Sequence, residues 1–212
     1  MCFHSKQSKD AQSLINRFDA KLHQKTLFTP QEQINGFTFP QTPVICHQSP
    51  QLIEHLNWGL IPYWAKDDSI RQFTLNAKIE TLEEKPSFKD SVDKRCLIIA
   101  DGFYEWQWLD SNGKNKQKYL ISLPNNELFA FAGIWSEWMN PVDKKKVKSY
   151  SIVTTAANDL MSEIHNSKRR MPIILGQENE RDWLNGAQLE EFAIVDIELK
   201  AQKQTSQLEL GF

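Results

Sequence analysis

The chain has 212 residues, of which 40% are hydrophobic, 11% aromatic and 25% charged, a composition typical of one globular domain over residues 1–212. The formal net charge of −2 argues against a protein that coats nucleic acid through bulk electrostatics, and it is compatible with a local basic groove. The chain has three cysteines without a CxxC spacing, which predicts a cytoplasmic protein without a disulfide framework. Its N-terminal segment is polar, unlike a signal peptide. An apolar run of roughly 18 residues is lacking, so we expect no membrane partner.

The first part of the chain is predicted to form one helix, followed by loops and short extended segments. The apolar residues that recur with helical spacing after Ala11 are Leu14, Ile15, Phe18 and Leu22. They predict an amphipathic helix with one buried stripe. Prolines at positions 30, 40 and 43 interrupt the region that follows. We expect a short strand over Pro43–Cys46 and an aromatic turn over Trp58–Trp64.

The rest of the chain is predicted to be rich in strands. The runs with many β-branched and aromatic residues are Cys96–Ala100, Tyr119–Leu123, Leu128–Ile134, Tyr150–Thr154 and Phe192–Val195. Turn residues over Ser111–Lys114 and Pro124–Asn126 predict a hairpin tip and a second turn. Short helices are expected after the N-cap residue Asn158 and over Glu180–Asn185, where Gly186 ends the second. The pattern predicts an α+β fold, a single compact domain with a β-rich, mainly antiparallel core and peripheral helices.

Cys2 is the first residue whose chemistry points to a function. Its small side chain favours removal of Met1, and the processed chain would then carry an α-amine and a thiol on one carbon. The amine titrates near pH ~7.7 and the thiol near ~8.5, so both are reactive in neutral water. Such a pair condenses with an aldehyde, because the amine forms a Schiff base and the thiol then closes a five-membered thiazolidine. If position 2 is considered without the other motifs, chance occurrence of a cysteine there is the simpler explanation.

The segment Gly102–Trp106 contains a carboxylate between aromatic residues. Strand alternation places Tyr104 and Trp106 on one face and Phe103 and Glu105 on the other. Partial desolvation by aromatic neighbours raises the pKa of a carboxyl group toward the range useful for proton transfer. The alternative is an edge-strand glutamate in contact with solvent.

His165 is predicted to lie at the end of the helix that follows Asn158, before a basic run over 168–170 and an apolar strand over Ile173–Leu175. A helix C-terminus raises the pKa of a histidine and neighbouring cations lower it, so its charge near neutrality is open. This suits general acid–base work. The alternative is an ordinary surface histidine at a helix end.

A polar segment over Asn76–Lys78 offers groups for binding an amine, a sugar or a phosphate. The Asn76 amide can donate and accept hydrogen bonds at once, and Lys78 can hold a phosphate as a point charge. The alternative is a capped turn with exposed polar side chains.

Taken in chain order, these motifs resemble the SOS-response-associated peptidase (SRAP) family of abasic-site processing proteins. The matching segments are Met1-Cys2, Trp58-Gly59-Leu60-Ile61-Pro62 with Trp64, Asn76-Ala77 with Glu80-Thr81, Gly102–Trp106, and His165 before Arg170-Met171-Pro172. Each motif is weak alone, but five in the right order make an accidental match improbable. The resemblance implies a compact α+β domain with a β-rich core, in agreement with the elements predicted above.

The resemblance also implies a role for each matching residue. Cys2 is expected to be the nucleophile that links to DNA, and Asn76 to position the N-terminal amine and the sugar. Glu105 is expected to act as the acid–base that opens the deoxyribose ring, and His165 as a second acid–base for Schiff-base chemistry and reversal of the link. Pro40 and Trp106 resemble residues that border the DNA and separate its bases. The other residues expected to contact the DNA are Trp64, Lys78 and the basic run Lys168, Arg169 and Arg170, which can meet phosphates.

The chain departs from the family pattern beside these motifs. Phe3 and His4 follow Cys2 where the family often has Gly-Arg, and Lys78 stands where the family commonly has arginine. Lysine keeps the charge but loses the bidentate geometry that arginine offers a phosphate. Two extra residues also separate His165 from the Arg-Met-Pro motif.

The function expected from this resemblance is covalent capture of abasic sites in single-stranded DNA during the DNA damage (SOS) response. The protein is expected to need no cofactor or metal and to act as a monomer in the cytoplasm, associated with the nucleoid when bound to DNA. The link consumes the aldehyde that drives β-elimination, whereas a Schiff base that is not closed permits weak lyase cleavage.

Three alternatives remain open. The first is a cysteine peptidase or N-terminal-nucleophile hydrolase, which needs an oxyanion hole. The target of such a protease can be as narrow as Met1 of its own chain. The second is a non-enzymatic reader of modified DNA with Trp64 and Trp106 as a stacking cage. The third is a metal site, whose ligand spacing does not match a known zinc pattern. Its ligands would be Cys2, His4, Cys46 and His47.

Overall fold

The computed structural model describes residues 2–23 and 28–205, and this part of the chain contains fourteen strands and three α-helices joined by short 3₁₀ turns. The strands are β1 (His4–Gln7), β2 (Lys21–Leu22), β3 (Gln31–Asn35), β4 (Gln41–Cys46), β5 (Leu52–Trp58), β6 (Asn76–Lys78), β7 (Arg95–Ala100), β8 (Gly102–Trp108), β9 (Lys116–Ser122), β10 (Phe129–Met139), β11 (Lys146–Ala156), β12 (Arg170–Pro172), β13 (Ile174–Leu175) and β14 (Lys200–Lys203). The helices are α1 (Ala11–Phe18), α2 (Asp159–Ile164) and α3 (Gln177–Leu184).

The strands form two sheets. One sheet has the order β14-β9-β8-β1-β3, and all its neighbours are antiparallel. The other follows the path β12-β11-β10-β7-β4-β5-β2, and β5 also pairs with β11. Strands β11, β10, β7, β4 and β5 therefore close into a small barrel. Strand β6 joins β11 in parallel, as does β5, while most other pairs are antiparallel. The predicted α+β class with a mainly antiparallel core is confirmed.

Large buried aromatic residues fill the core. Trp58 and Tyr150 are both fully buried and their rings stack at 6.2 Å between centroids. Trp183 fixes α3 against the barrel, since its Nε1 donates to the carbonyl oxygens of Cys96 at 3.1 Å and Gly133 at 3.2 Å. Within residues 2–23 and 28–205, none of the helices combines the length and apolarity needed to cross a bilayer.

Most local predictions are confirmed. The strands expected around residues 43–46, 96–100, 119–123, 128–134 and 150–154 are β4, β7, β9, β10 and β11. The predicted tip around Ser111–Lys114 joins β8 to β9. The Asn158 side chain accepts a hydrogen bond from the Met161 amide and caps α2 as expected. Gly186 follows α3 with φ of +84°, in the left-handed region that favours glycine.

Three local predictions are wrong. The first helix ends at Phe18, because Asp19 adopts a left-handed conformation with φ of 46°, and Leu22 lies in β2 instead. The predicted strand Phe192–Val195 is absent, since a 3₁₀ turn over Leu189–Phe192 presses Phe192 against Trp183 at 5.1 Å.

The third error concerns Trp58, which ends strand β5 and is not part of the aromatic turn. The turn itself begins at Gly59, whose φ of +105° is strained for any other residue.

Candidate active site

Cys2 lies at the entrance to an interior strand. It is fully buried immediately before β1, and β1 is paired with β8 on one side and with β3 on the other. The Cys2 Sγ lies 3.7 Å from the carbonyl oxygen of His4. Burial, and then the charge of nearby Glu105, raise the pKa of the Cys2 thiol well above its ordinary value. The thiol is therefore protonated at neutral pH. Met1 lies outside the described residues.

Asn76 is held directly against Cys2. Its Nδ2 donates to the Cys2 carbonyl oxygen at 2.8 Å, although the two residues are 74 positions apart in the chain. The segment is strand β6 and not a capped turn, since Asn76 pairs in parallel with Ile152 of β11. The Asn76 Oδ1 is buried and accepts no hydrogen bond from the part of the chain that the structure describes. The site thus offers one buried acceptor beside the N-terminal cysteine.

The aromatic pair below this contact fixes the strand that carries Asn76. The Trp58 Nε1 donates to the carbonyl oxygen of Leu75 at 2.9 Å. The Tyr150 hydroxyl lies 2.7 Å from the Thr42 Oγ1, deep in the barrel. Because these rings are rigid and fully buried, the position of Asn76 is set by the core and not by a surface turn.

Glu105 faces the interior, as strand alternation predicts. Its side chain is 5% exposed, so the alternative of a solvent-facing edge glutamate is wrong. Phe103 on the same face packs edge-on against Phe131 at 5.8 Å, while Tyr104 lies on the opposite face under the Lys118 ammonium. Burial raises the pKa of Glu105 from its ordinary 4.5 to about 7. The carboxyl group is therefore present in both protonation states near neutral pH.

His165 caps the C-terminal end of α2 and is 6% exposed, which excludes the alternative of an ordinary surface histidine. Its Nδ1 lies 2.7 Å from the carbonyl oxygen of Arg170. The Arg170 amide nitrogen also lies 3.3 Å from this Nδ1. Because the contact to the carbonyl, which can only accept, is the shorter of the two, it places the proton on Nδ1 and leaves Nε2 as the basic nitrogen. Burial, followed by nearby positive charge, lowers the pKa of His165 to about 4. The imidazole is neutral at neutral pH.

We expect a nuclear magnetic resonance titration to show the His165 imidazole resonances inflecting near pH 4, well below the ordinary 6.5. The resonances are assigned by their loss in His165→Gln. Because the unfolded chain binds this proton more tightly between pH 4 and 6.5, His165 makes the folded state more stable as pH rises through that window. An inflection near 6.5 contradicts the neutral buried imidazole.

Two side chains tie the strand of Glu105 to the helix end of His165, and sequence reasoning missed both. The Asn166 amide accepts from the Trp108 amide nitrogen at 3.0 Å and donates to the Trp108 carbonyl oxygen at 2.9 Å. The Gln107 Nε2 donates to the carbonyl oxygen of Glu163 at 3.1 Å. The only signal in the sequence is that an asparagine, Asn166, follows His165. Its side-chain amide can both donate to and accept from the backbone of a strand, as the backbone of a paired strand does.

The predicted DNA-contacting residues have different environments. Arg170 is engaged in a two-bond ion pair with Glu80, at 2.5 and 2.9 Å, and donates to the Thr154 carbonyl oxygen at 2.7 Å. This pair lowers the pKa of Glu80 and connects β12 to the turn after β6. The exposed members of the set are Trp64, Lys78, Lys168 and Arg169, and the half-buried ones are Pro40 and Trp106.

The metal-site alternative finds no support. Among the described residues, histidine, cysteine and acidic side chains form no group of three or more that could hold a metal ion. Cys46 and Cys96 face each other on β4 and β7, and burial raises the pKa of Cys46 to about 12. Cys2, Cys46 and Cys96 are free and buried, so each thiol lies away from solvent.

Fold and site together define a class of protein: a barrel-containing α+β fold in which a buried cysteine at position 2 is held by an asparagine, beside a carboxyl group with a raised pKa. The chain belongs to the SRAP family, described as SOS response associated peptidase, which matches residues 1–210.

Individual relatives agree with this assignment. The chain is 50% identical over 131 residues to the abasic site processing protein YoqW of Bacillus subtilis (strain 168), covering 61% of this chain and 56% of that protein. It is 35% identical over 165 residues to the abasic site processing protein HMCES of Gallus gallus, covering 66% of this chain and 47% of that protein. The chain thus spans about half the length of these curated relatives.

The fold also has close counterparts among solved structures. The crystal structure of a protein from Bacteroides thetaiotaomicron superposes with a TM-score of 0.88 at 31% identity, covering 99% of this chain and 95% of that one. A protein from Bordetella bronchiseptica superposes with a TM-score of 0.80 at 21% identity and shares the fold.

Proposed function

We propose that this protein processes abasic sites in single-stranded DNA, and that it does so by forming a covalent link through Cys2. The observation that carries the proposal is the contact between Asn76 and Cys2, which fixes the cysteine beside Glu105 in a buried site. The names of the relatives, abasic site processing proteins, support the substrate. Cleavage of the peptide bond before Cys2 is the first requirement, because only a free α-amine can condense with an aldehyde.

The reaction begins with the sugar of the abasic site. In its closed form the sugar is a hemiacetal, and opening it requires a proton to leave the C1 hydroxyl while the ring oxygen gains one. With a pKa of about 7, Glu105 can remove the first proton and return one to the ring oxygen. The product is the open-chain aldehyde, with no net gain or loss of protons.

The link then forms in two additions. The Cys2 amine attacks the aldehyde carbon to give a carbinolamine, which loses water to become a Schiff base. The thiol then adds to the same carbon, and its proton passes to the nitrogen as the thiazolidine ring closes. One water is released overall, and neither an oxidant nor a reductant is consumed.

The neighbouring groups suit these steps. The buried Oδ1 of Asn76 can accept a hydrogen bond from the attacking amine or from a sugar hydroxyl. The neutral His165 can take up a proton during loss of water and return it when the link reverses. The raised pKa of the Cys2 thiol keeps it protonated, so that it is deprotonated only as it adds to the Schiff base.

The same chemistry extends to three secondary features of the proposal. A Schiff base that does not close allows weak strand cleavage by β-elimination. Peptidase activity is confined to the bond that precedes Cys2. We propose a monomer that acts on DNA at the nucleoid, without a cofactor.

Intact-mass measurement first establishes that the wild-type protein has lost Met1. The protein is then incubated with single-stranded DNA that contains one aldehydic abasic site. We expect a shifted band on a denaturing gel. A matched oligonucleotide with a tetrahydrofuran analogue, which has no aldehyde, should give none. Reversible binding without a resistant band supports a reader of modified DNA instead, and peptide cleavage without attachment supports a hydrolase. Either result overturns the proposal.

A further inference from the structure

The outer face of the β8–β9 ribbon carries an alternating set of aromatic and lysine side chains. We call this set the aromatic–lysine face, and its members are Trp106, Trp108, Lys116 and Lys118, with the buried Tyr104 beneath Lys118. On β8 the aromatic residues occupy every second position, and in the antiparallel register Trp106 lies opposite Lys118 and Trp108 opposite Lys116. Directly paired residues share a face of a sheet, so these side chains lie together.

The lysines lie over the aromatic rings. The Lys118 ammonium is 4.2 Å from the ring centre of Tyr104 and 5.8 Å from that of Trp106. The Lys116 ammonium is 5.5 Å from the ring centre of Trp108. These distances fit cation–π contacts, which hold the two ammonium groups over the faces of the aromatic rings.

The two charges are not neutralised by neighbouring acids. The Lys118 Nζ donates to the neutral amide of Gln33 at 2.6 Å. Over residues 2–23 and 28–205, neither Lys116 nor Lys118 takes part in an ion pair. Other lysines on the molecule differ in this respect, since Lys148 pairs with Glu54 at 2.7 Å. The face therefore presents two cations that are available to an anionic partner.

The face is continuous with the candidate active site. Strand β1 pairs with β8 only over Gly102–Tyr104, so the end of β8 that carries Trp106 extends beyond it. His4, which follows Cys2 by two residues, contacts the Trp106 ring edge-on at 4.9 Å. Beyond β1, the Asn166 amide at the end of α2 binds the backbone of β8 at Trp108. A DNA chain that leaves the site at Cys2 therefore meets the aromatic–lysine face at Trp106, between β1 and α2.

We propose that the aromatic–lysine face binds the single-stranded DNA that flanks the captured sugar, an inference that rests on the proposed function. Lysines supply charge for phosphates, while half-buried indole rings supply apolar surface for bases, the combination that binds single strands without reading sequence. The continuity with Cys2 and the two unneutralised cations favour nucleic acid as the occupant.

The test measures equilibrium binding of single-stranded DNA containing a tetrahydrofuran analogue, so that no aldehyde chemistry contributes. For single strands, each phosphate contact contributes about 0.7 to the slope of log K against log salt concentration. The double variant Lys116→Gln/Lys118→Gln should therefore lose about 1.4 from the magnitude of that slope. The matched control is Lys144→Gln/Lys145→Gln at the tip between β10 and β11, which removes the same charge and should leave the slope unchanged.

A second variant separates stacking from charge. Trp108→Ala should weaken binding at every salt concentration by about 5- to 150-fold while leaving the slope unchanged, because stacking releases no counterions. Shortening the DNA on one side of the analogue should abolish the difference between wild type and the double lysine variant, while shortening the other side should not. Thermal unfolding confirms that each variant is folded.

The outcomes distinguish the inference from the function on which it rests. The role of this face is overturned by an unchanged slope for the double lysine variant, or by a difference from wild type that persists both when one flank is removed and when the other is removed. A reduced slope combined with failure to form a Cys2-dependent link on aldehydic DNA overturns the proposed function and leaves the binding face standing.

Discussion

Replacing Cys2 by alanine is expected to abolish the link that survives denaturation. Cys2→Ala keeps a small second residue, so removal of Met1 continues and the α-amine stays available. The variant can still form a Schiff base with the aldehyde, but it has no thiol to close the thiazolidine. A Schiff base hydrolyses during denaturation, so no shifted band remains on the gel.

Borohydride sharpens this experiment. Reduction of the Schiff base converts it to a stable secondary amine, so the shifted band should return for Cys2→Ala when borohydride is present during the reaction. Cys46→Ala is the matched control, because it removes another buried thiol from the barrel and should leave the link intact. A resistant band from Cys2→Ala without borohydride shows that another group forms the link.

Replacing Glu105 by glutamine is expected to slow link formation by about 10²- to 10⁴-fold, the usual contribution of a general acid–base. Glutamine keeps the shape of the side chain and its hydrogen-bonding capacity but cannot exchange a proton. The measurement is the single-turnover rate of band formation with excess protein. Glu127→Gln removes an exposed carboxylate and should react at the wild-type rate.

The pH dependence of this rate provides a second readout. With the pKa of Glu105 at about 7, the wild-type rate should carry an inflection near pH 7 that Glu105→Gln lacks. The Cys2 α-amine, which titrates near ~7.7 in free form, contributes its own inflection equally to both proteins. The same inflection in the variant shows that another group titrates there. His165, with a pKa of about 4, does not change its charge in this range.

Stability should change in the direction set by the same raised pKa. Because the folded state binds the Glu105 proton more tightly than the unfolded chain does, the contribution of Glu105 to the wild-type free energy of unfolding falls as pH rises from 4.5 to about 7, whereas that of His165 rises over pH 4 to 6.5. The cost is about 3 kcal/mol, from about 1.4 kcal/mol per unit of pKa shift. Glu105→Gln lacks this loss. The free energy of unfolding of the variant, measured relative to wild type, should therefore increase by that amount between pH 4.5 and 8. The contribution of His165 cancels, since both proteins contain it.

Local features of the fold were predictable because their causes are local. Asn158 caps α2 through its own side chain, and Gly186 follows α3 in a conformation that glycine favours. Alternation along β8 placed Glu105 on the buried face. Prediction failed where tertiary packing decides the local structure. Phe192 lies in a 3₁₀ turn because its ring packs on Trp183, and the β-branched residues around it in the sequence give no sign of this contact.

The assembly of the site could not be worked out from spacing. Asn76 reaches Cys2 only because β6 adds to β11 in parallel, a pairing between distant segments with no sequence signature. The resemblance to a family grouped these residues, but it did not indicate the Asn166 amide that ties β8 to the end of α2. It also gave no indication that Arg170 is bound to Glu80.

The position of β1 bears on how the linked protein would resist mechanical load. Cys2 leads directly into a strand that is hydrogen-bonded on both flanks, to β8 and to β3. Tension on a linked DNA would enter the protein through Cys2 and load β1 first, and β1 leaves the sheet only when its hydrogen bonds to both β8 and β3 are broken. A strand at the edge of a sheet would have hydrogen bonds on one side alone to oppose the same load.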